Sequence, residues 1–226
     1  MTRILPSHVA IIPDGNRRFA KAKNLPFLSG HTAGYEQLRL LLKELNRLSI
    51  PYVTVWAFST ENWKRPISQV RPLFSLFAKA IETFSKDPAF KQVRFVHVGR
   101  KDRLSKALLS KIQDLEQRTK RHTTMTLSIA LDYGGRDEFL RASKKFVASD
   151  KKRKQLFDFL DMPEYGIPPI DLVIRTGGER RTSGFMPIAS EYSEWYFSDV
   201  LFPDFSTKEL HDALSDYAKR IRRFGA

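Results

Sequence analysis

The sequence predicts an α/β fold: a single domain, residues 1–226, with a mainly parallel central β-sheet flanked by helices. Three observations predict it. Short β-branched, apolar runs alternate along the whole chain with longer segments whose apolar residues recur at helical spacing. The runs read as strands buried on both faces, as parallel strands covered by crossover helices are. No internal repeat or low-complexity linker divides the 226 residues, which suffice for one sizeable core.

The elements follow in order. Residues 8–13, His-Val-Ala-Ile-Ile-Pro, form the first strand candidate, and 52–58, 93–98, 124–131 and 171–174 form the next four. Two further short candidates lie at 194–197 and 200–202. Between them, residues 34–48 carry Leu38, Leu41, Leu42, Leu45 and Leu48 on one helical face. Phe74, Phe77, Ala78, Ile81 and Phe84 repeat the pattern, as do Leu104, Leu108, Leu109, Ile112 and Leu115. Lys151-Lys152-Arg153-Lys154 reads as a surface helix start and residues 163–169 as a Pro-rich loop.

Charge and composition narrow the function. The 39 Lys and Arg against 25 Asp and Glu give +14, which favours an anionic partner: nucleic acid, a membrane surface or a phosphorylated substrate. The plainer reading is a generally basic surface, and charge alone does not choose. No RNP-type aromatic motif or zinc-ligand spacing supports nucleic acid. With no Cys, disulfides, zinc-thiolate sites and thiol nucleophiles are excluded. No signal-peptide core or membrane-length apolar run is visible, so a cytoplasmic protein is expected. The 17 Phe suggest apolar cavity walls.

Three strand ends carry the chemistry. After the first strand comes Pro13-Asp14-Gly15-Asn16-Arg17-Arg18 at a helix start. The free N–H groups of a first helical turn favour an anion, and two arginines add charge for phosphate. Asp14 would repel phosphate unless a hard cation such as Mg²⁺ bridged the two. An ordinary turn with an Asp cap is the plainer alternative for this segment alone. After the second strand, Ser59-Thr60-Glu61-Asn62-Trp63-Lys64-Arg65-Pro66 crowds polar residues before a helix-opening Pro. Asn62 suits a proton relay, Ser59 a donor to oxygen and Arg65 a phosphate partner, with N-capping an even alternative. After the fifth strand, Arg175-Thr176-Gly177-Gly178-Glu179-Arg180-Arg181-Thr182-Ser183 combines glycines with arginines whose planar donors match phosphate. It lacks the Gly-Lys-Ser/Thr ending of a Walker A loop. Glu194 reads either as a metal ligand or as an ordinary strand-flanking residue. Together these imply an enzyme holding two diphosphates and a long hydrocarbon.

These segments, with Gly30-His31-Thr32-Ala33-Gly34, Tyr133-Gly134-Gly135-Arg136-Asp137-Glu138, Tyr196-Phe197 and Arg222-Arg223-Phe224-Gly225, resemble the cis-prenyltransferases of the undecaprenyl diphosphate synthase type over nearly the whole chain. The resemblance implies a parallel-sheet homodimer that joins isopentenyl diphosphate to an allylic prenyl diphosphate with Mg²⁺. It implies Asp14 and Asn62 as catalytic residues, and Asp14 with Glu194, in the region of the dimer partner, as metal ligands. It implies substrate contacts at Gly15, Asn16, Arg17, Arg18, Phe19 and His31 for the allylic diphosphate. Ser59, Thr60, Glu61, Trp63 and Arg65 are taken with them. Arg175, Arg181, Thr182 and Ser183 match the isopentenyl diphosphate clamp, and Arg223 and Gly225 an ending that reaches across the dimer. The chain departs from the family pattern at Phe19 and Phe27, in place of Trp and Arg, and over residues 184–189. The alternatives are a short-chain or non-head-to-tail synthase on the same site, or a catalytically silent partner subunit. Peripheral membrane contact is the remaining partner expectation.

Overall fold

Six strands, all parallel, form one sheet in the order β3-β4-β2-β1-β5-β6. The chain is a computed structural model describing residues 4–149 and 155–220, so Lys151 to Lys154 and both Arg223 and Gly225 lie outside the described residues. The strands are β1 (His8–Ile12), β2 (Tyr52–Ser59), β3 (Val93–Val98), β4 (Met125–Tyr133), β5 (Leu172–Arg175) and β6 (Glu194–Phe197). The helices are α1 (Asn16–Ala22), α2 (Phe27–Arg47), α3 (Ile67–Lys86), α4 (Lys106–Thr119), α5 (Gly135–Ala148), α6 (Asp161–Glu164) and α7 (Thr207–Lys219).

Every residue of β1 is buried, which explains its apolar run from Val9 to Ile12: both its faces are covered. Val9 and Ile11 face one core with α2, α3, α4 and α7, where Leu41, Leu45, Leu73, Ile112 and Leu214 pack. Ala10 and Ile12 face a second core with Tyr133, Met162, Ile167, Phe185 and Met186. From β1 the chain moves to β2 on one side, and from β5 to β6 on the other. The connections therefore diverge between β1 and β5, opening a crevice outside their carboxyl ends.

Three expected elements change. Residues 200–202 are not a strand: Val200 accepts from Gly177 N at 2.7 Å, while Phe202 N donates to Asp14 O at 3.0 Å and starts a 3₁₀ turn, Phe202–Asp204. Its polar groups serve two loops, and Pro203 has no N–H for a ladder. The Pro-rich loop begins only after the single turn of α6, which contains Pro163. Helix α2 also starts at Phe27, seven residues before the expected 34, running through Gly30 and Gly34.

Candidate active site

Pro13 has no N–H for the ladder and ends β1. Gly15 then takes φ +109°, where a Cβ would stand 2.9 Å from Leu201 Cδ2, so the chain turns at once into α1. Gly30 and Gly34 let α2 lie on the first turn of α1. A Cβ at Gly30 would fall 2.0 Å from Asn16 O, and one at Gly34 2.1 Å from Asn16 Oδ1. This close approach is the physical reason for the glycines around His31, and it carries His31 to the crevice.

Asp14 sits at the divergence of β1 and β5. Its Oδ1 accepts from Gly15 N at 2.7 Å and its Oδ2 from Arg175 Nη2 at 3.0 Å, with Arg18 Nη2 at 3.5 Å. The Arg175 side chain is 5% exposed and also donates through Nη1 to Ser183 Oγ at 2.9 Å and to Arg181 O at 2.5 Å. Ser183 itself holds φ +52°, folding the clamp turn back over β5. At the end of β2, Asn62 returns to accept from Ser59 N at 3.2 Å. Asn62 thus caps its turn and, with Ser59 and Arg65, also lines the crevice. The capping reading therefore does not keep this segment from the crevice.

The crevice encloses about 780 Å³ and holds Arg17, Arg18, Arg65, Arg175 and Arg181 against the carboxylates of Asp14 and Glu179. Cations crowd one another here. Burial, then Arg65 and Arg17, lower the His31 pKa from 6.5 to about 4, and burial with Arg17 lowers that of Arg65. Four buried polar atoms without a partner, Asn16 Oδ1, His31 Nε2, Gln69 Oε1 and Arg175 Nε, belong to residues lining this crevice. Native proteins rarely leave such groups unpaired, so their clustering marks a ligand site. From the crevice, past Pro13, Asn16 and His31, an apolar tunnel of about 140 Å³ runs between α2, α3 and the sheet. Leu38, Leu42, Phe77 and Ile81 line it, and Phe84, Phe90 and Phe95 stand among its walls farther along.

For a divalent cation, no cluster of three or more His, Asp or Glu exists among the described residues. Asp14, its side chain 35% exposed toward the crevice, fits a cation completed by ligand oxygens, the pattern Mg²⁺ prefers.

The structure brings together Asp14, Gly15, Asn16, Arg17, Arg18, His31, Ser59, Asn62, Arg65, Arg175, Arg181 and Ser183. It leaves others outside. Phe19 is buried behind α1 with Lys23 over its ring. Trp63 donates to Asp132 Oδ1 at 2.9 Å and packs on Phe58 and Phe74, anchoring the turn from behind. Thr60 donates to Glu61 at 3.0 Å, both away from the crevice, and Thr182 is exposed beyond the clamp. Glu194 pairs in register with Leu172 at the amino end of the sheet, opposite to Asp14, and its carboxylate accepts from Arg220 at 2.7 Å. It does not meet Asp14 within one chain. Gln69 and Trp56 line the crevice without having been anticipated. Gln69 is one of many polar residues on the amphipathic α3, most of them solvated, so no sequence signal distinguishes it.

A family model described as putative undecaprenyl diphosphate synthase matches residues 12–225. The chain belongs to the undecaprenyl diphosphate synthase family. It is 42% identical to an isoprenyl transferase of Aquifex pyrophilus, over 100% of this chain and 98% of that one. It is likewise 42% identical to that of Thermotoga maritima, over 98% and 97%. Among solved structures, lavandulyl diphosphate synthase from Lavandula x intermedia in complex with dimethylallyl diphosphate superposes with a TM-score of 0.90 at 29% identity, covering 98% and 99% of the two chains. A probable undecaprenyl diphosphate synthase from Campylobacter jejuni superposes with a TM-score of 0.82 at 29% identity, with the same coverage. The protein is an isoprenyl transferase by family, and no described helix is long and apolar enough to cross a membrane.

Proposed function

We propose that this isoprenyl transferase condenses isopentenyl diphosphate with an allylic prenyl diphosphate, with Mg²⁺, to give a prenyl diphosphate with a new cis double bond. One observation carries the reading: Asp14 faces Arg175 where β1 and β5 diverge, inside an arginine-lined crevice that opens onto an apolar tunnel. The lavandulyl diphosphate synthase that this fold superposes on binds an allylic diphosphate, which supports the substrate class.

The allylic diphosphate lies on the first turn of α1, against Arg17 and Arg18, with His31 at the neck and its tail in the tunnel. Burial of that tail contributes about 0.8 kcal/mol per CH₂. Arg175, Arg181 and Ser183 hold isopentenyl diphosphate so that its double bond faces the allylic carbon. As the carbon–oxygen bond of the allylic diphosphate breaks, the arginines stabilise the charge gathering on the departing group. The isopentenyl double bond supplies the electrons of the new carbon–carbon bond, and a proton then leaves the neighbouring carbon beside Ser59 and Asn62. Asp14 and the diphosphate oxygens would hold Mg²⁺, which supplies further charge neutralisation on the leaving group.

A short product is the second reading, favoured by the small tunnel volume and the phenylalanines along it. Exposed Phe139, Leu140, Val147 and Phe157 on α5 and the turn after it support a homodimer, the arrangement in which Glu194, Arg223 and Gly225 of one chain would serve a neighbour. Labelled isopentenyl diphosphate with farnesyl or geranylgeranyl diphosphate tests the reaction. Mg²⁺-dependent elongation that vanishes in Asp14→Ala is the expected result; no turnover with any allylic donor assigns the chain instead to a silent subunit.

A further inference from the structure

The tunnel has a side opposite its mouth, and that side is closed by charge. Helices α2 and α3 form its wall side by side: His31, Leu38 and Leu42 mark its course on α2, and Leu73, Phe77, Ile81 and Phe84 on α3. Phe84 stacks on Phe90 at 4.8 Å between ring centres and lies 5.9 Å from Phe95. Just past these rings, Asp87 caps the end of α3. Its Oδ2 accepts from Arg39 Nη2 at 2.8 Å and pairs with Lys43 Nζ at 3.0 Å, while Oδ1 accepts from Ala89 N at 3.0 Å. The Asp87 side chain is 8% exposed, and the Arg39 guanidinium holds its carboxyl down to about 2, so the pairing persists across the working pH range. Arg39 lines both the tunnel and an outer groove of about 490 Å³ formed with Lys79, Thr83 and Lys86. It is the wall between them.

The tunnel volume makes this wall matter. A cavity of about 150 Å³ holds one benzene-sized molecule, and the tunnel offers about 140 Å³. A tail of several isoprene units fits only if α2 and α3 part, and beyond Phe84 the charged contacts that oppose parting are those on Asp87, beside one neutral bond from Asn46 Nδ2 to Ala89 O at 3.2 Å.

We propose that the Arg39–Asp87–Lys43 cluster is a product-length determinant: it ties α2 to the end of α3 and so limits how far the tail site opens. The inference rests on the tunnel holding the prenyl tail, as proposed above. None of the three residues touches the reacting atoms, so the cluster sets reach and not rate.

The test reads product length. Labelled isopentenyl diphosphate is incorporated with farnesyl diphosphate, and the products are dephosphorylated and resolved by chain length. Asp87→Asn is expected to lengthen the dominant product by at least one isoprene unit while total incorporation is retained. Exchanging the charges, Arg39→Asp with Asp87→Arg, is expected to return the length toward that of the parent, which a merely structural role would not do. An unchanged length distribution in Asp87→Asn overturns the proposal. If that variant does not fold, Arg39→Lys, which keeps the charge but shortens the reach, carries the same expectation and the same refutation. Absence of incorporation by the unaltered protein counts against the proposed reaction, and the cluster is then judged by binding alone. The affinity ratio of geranylgeranyl to farnesyl diphosphate should rise in Asp87→Asn, and an unchanged ratio overturns the inference.

Discussion

The two faces of the one sheet are packed to different ends. On the face of Val9 and Ile11, the side chains of α2, α3, β3 and β4 leave a tunnel bounded by apolar surface, with an ion cluster past its far end. On the face of Ala10 and Ile12, polar groups are locked into pairs. Tyr133 OH donates to Glu138 at 2.5 Å, and Glu138 Oε1 accepts from Asp161 N at 2.9 Å. Asp161 takes two bonds from Arg141, both at 2.7 Å. Burial raises both the Glu138 and the Tyr133 pKa, disfavouring charge on either partner. The difference teaches where each kind of order is used. The tightly paired face fixes the loop of Ser183 and Arg181 through Tyr133, Phe185 and Gly135, where a Cβ would fall 2.5 Å from Gly184 O. The open face leaves an apolar cavity beside the crevice.

Four measurements break or sharpen this contrast, from the largest effect down. Asp14 joins the two faces at the crevice, and Asp14→Asn keeps its acceptor for Gly15 N while removing the charge. Turnover should fall about 10²- to 10³-fold, as when a preorganised charge is lost, with the melting temperature little changed; a loss of folding equal to the loss of rate would make Asp14 structural.

The second measurement is pH. Burial lowers His8 on the paired face and His31 on the open face, each from 6.5 to about 4. Between those values the unfolded chain binds protons that the folded chain does not. Stability should therefore fall as pH drops from 6.5 toward 4, by about 1.4 kcal/mol per unit for each histidine, read from urea midpoints at pH 7 and pH 5. Inorganic pyrophosphate should relieve the share of His31, whose Nε2 is unpartnered, and leave that of His8, which is bonded to Thr54 Oγ1 at 2.8 Å and Pro168 O at 2.9 Å. Equal relief of both, or of neither, would remove the distinction.

Third, Gly30→Ala pushes a methyl toward Asn16 O, a backbone atom that yields little. It should cost about 1–3 kcal/mol in the denaturant midpoint, the usual range for overpacking, and weaken prenyl diphosphate binding. A neutral outcome would show that α1 and α2 slide freely. Last, Lys145 on the outer side of α5 pairs with Glu164 at 2.7 Å with both side chains well exposed. Lys145→Ala should change stability by less than about 0.5 kcal/mol; a larger loss would mean that the order of the paired face extends to its surface.

Much of this was legible in the chain itself, for physical reasons that differ by residue. The first strand shows because a strand covered on both sides must be largely apolar, and 9–13 is, with only His8 at its start polar. The crevice shows because the three segments after β1, β2 and β5 concentrate arginines and glycines at one end of one sheet. Within a motif, however, sequence does not reveal which side chains face the site. Trp63 turns back to Asp132, and Phe19 turns into the core, though both stand among residues that line the crevice. Glu194 shows the same blindness at larger scale: its end of β6 depends on register, and register places it away from Asp14. The Arg39–Asp87 pair was invisible, because its partners lie on separate helices and each is an ordinary surface charge until the helices pack.

Phe84, Phe90 and Phe95 come from the end of a helix, a short turn and a neighbouring strand, none of which supplies a group to Asp14 or Arg175. On the proposed reading, the far walls of the tunnel and the charged groups of the crevice are therefore encoded in separate stretches of this polypeptide. Mutation can retune one while the other is inherited intact, so descendants of such a scaffold can diversify in what they make without relearning how to make it.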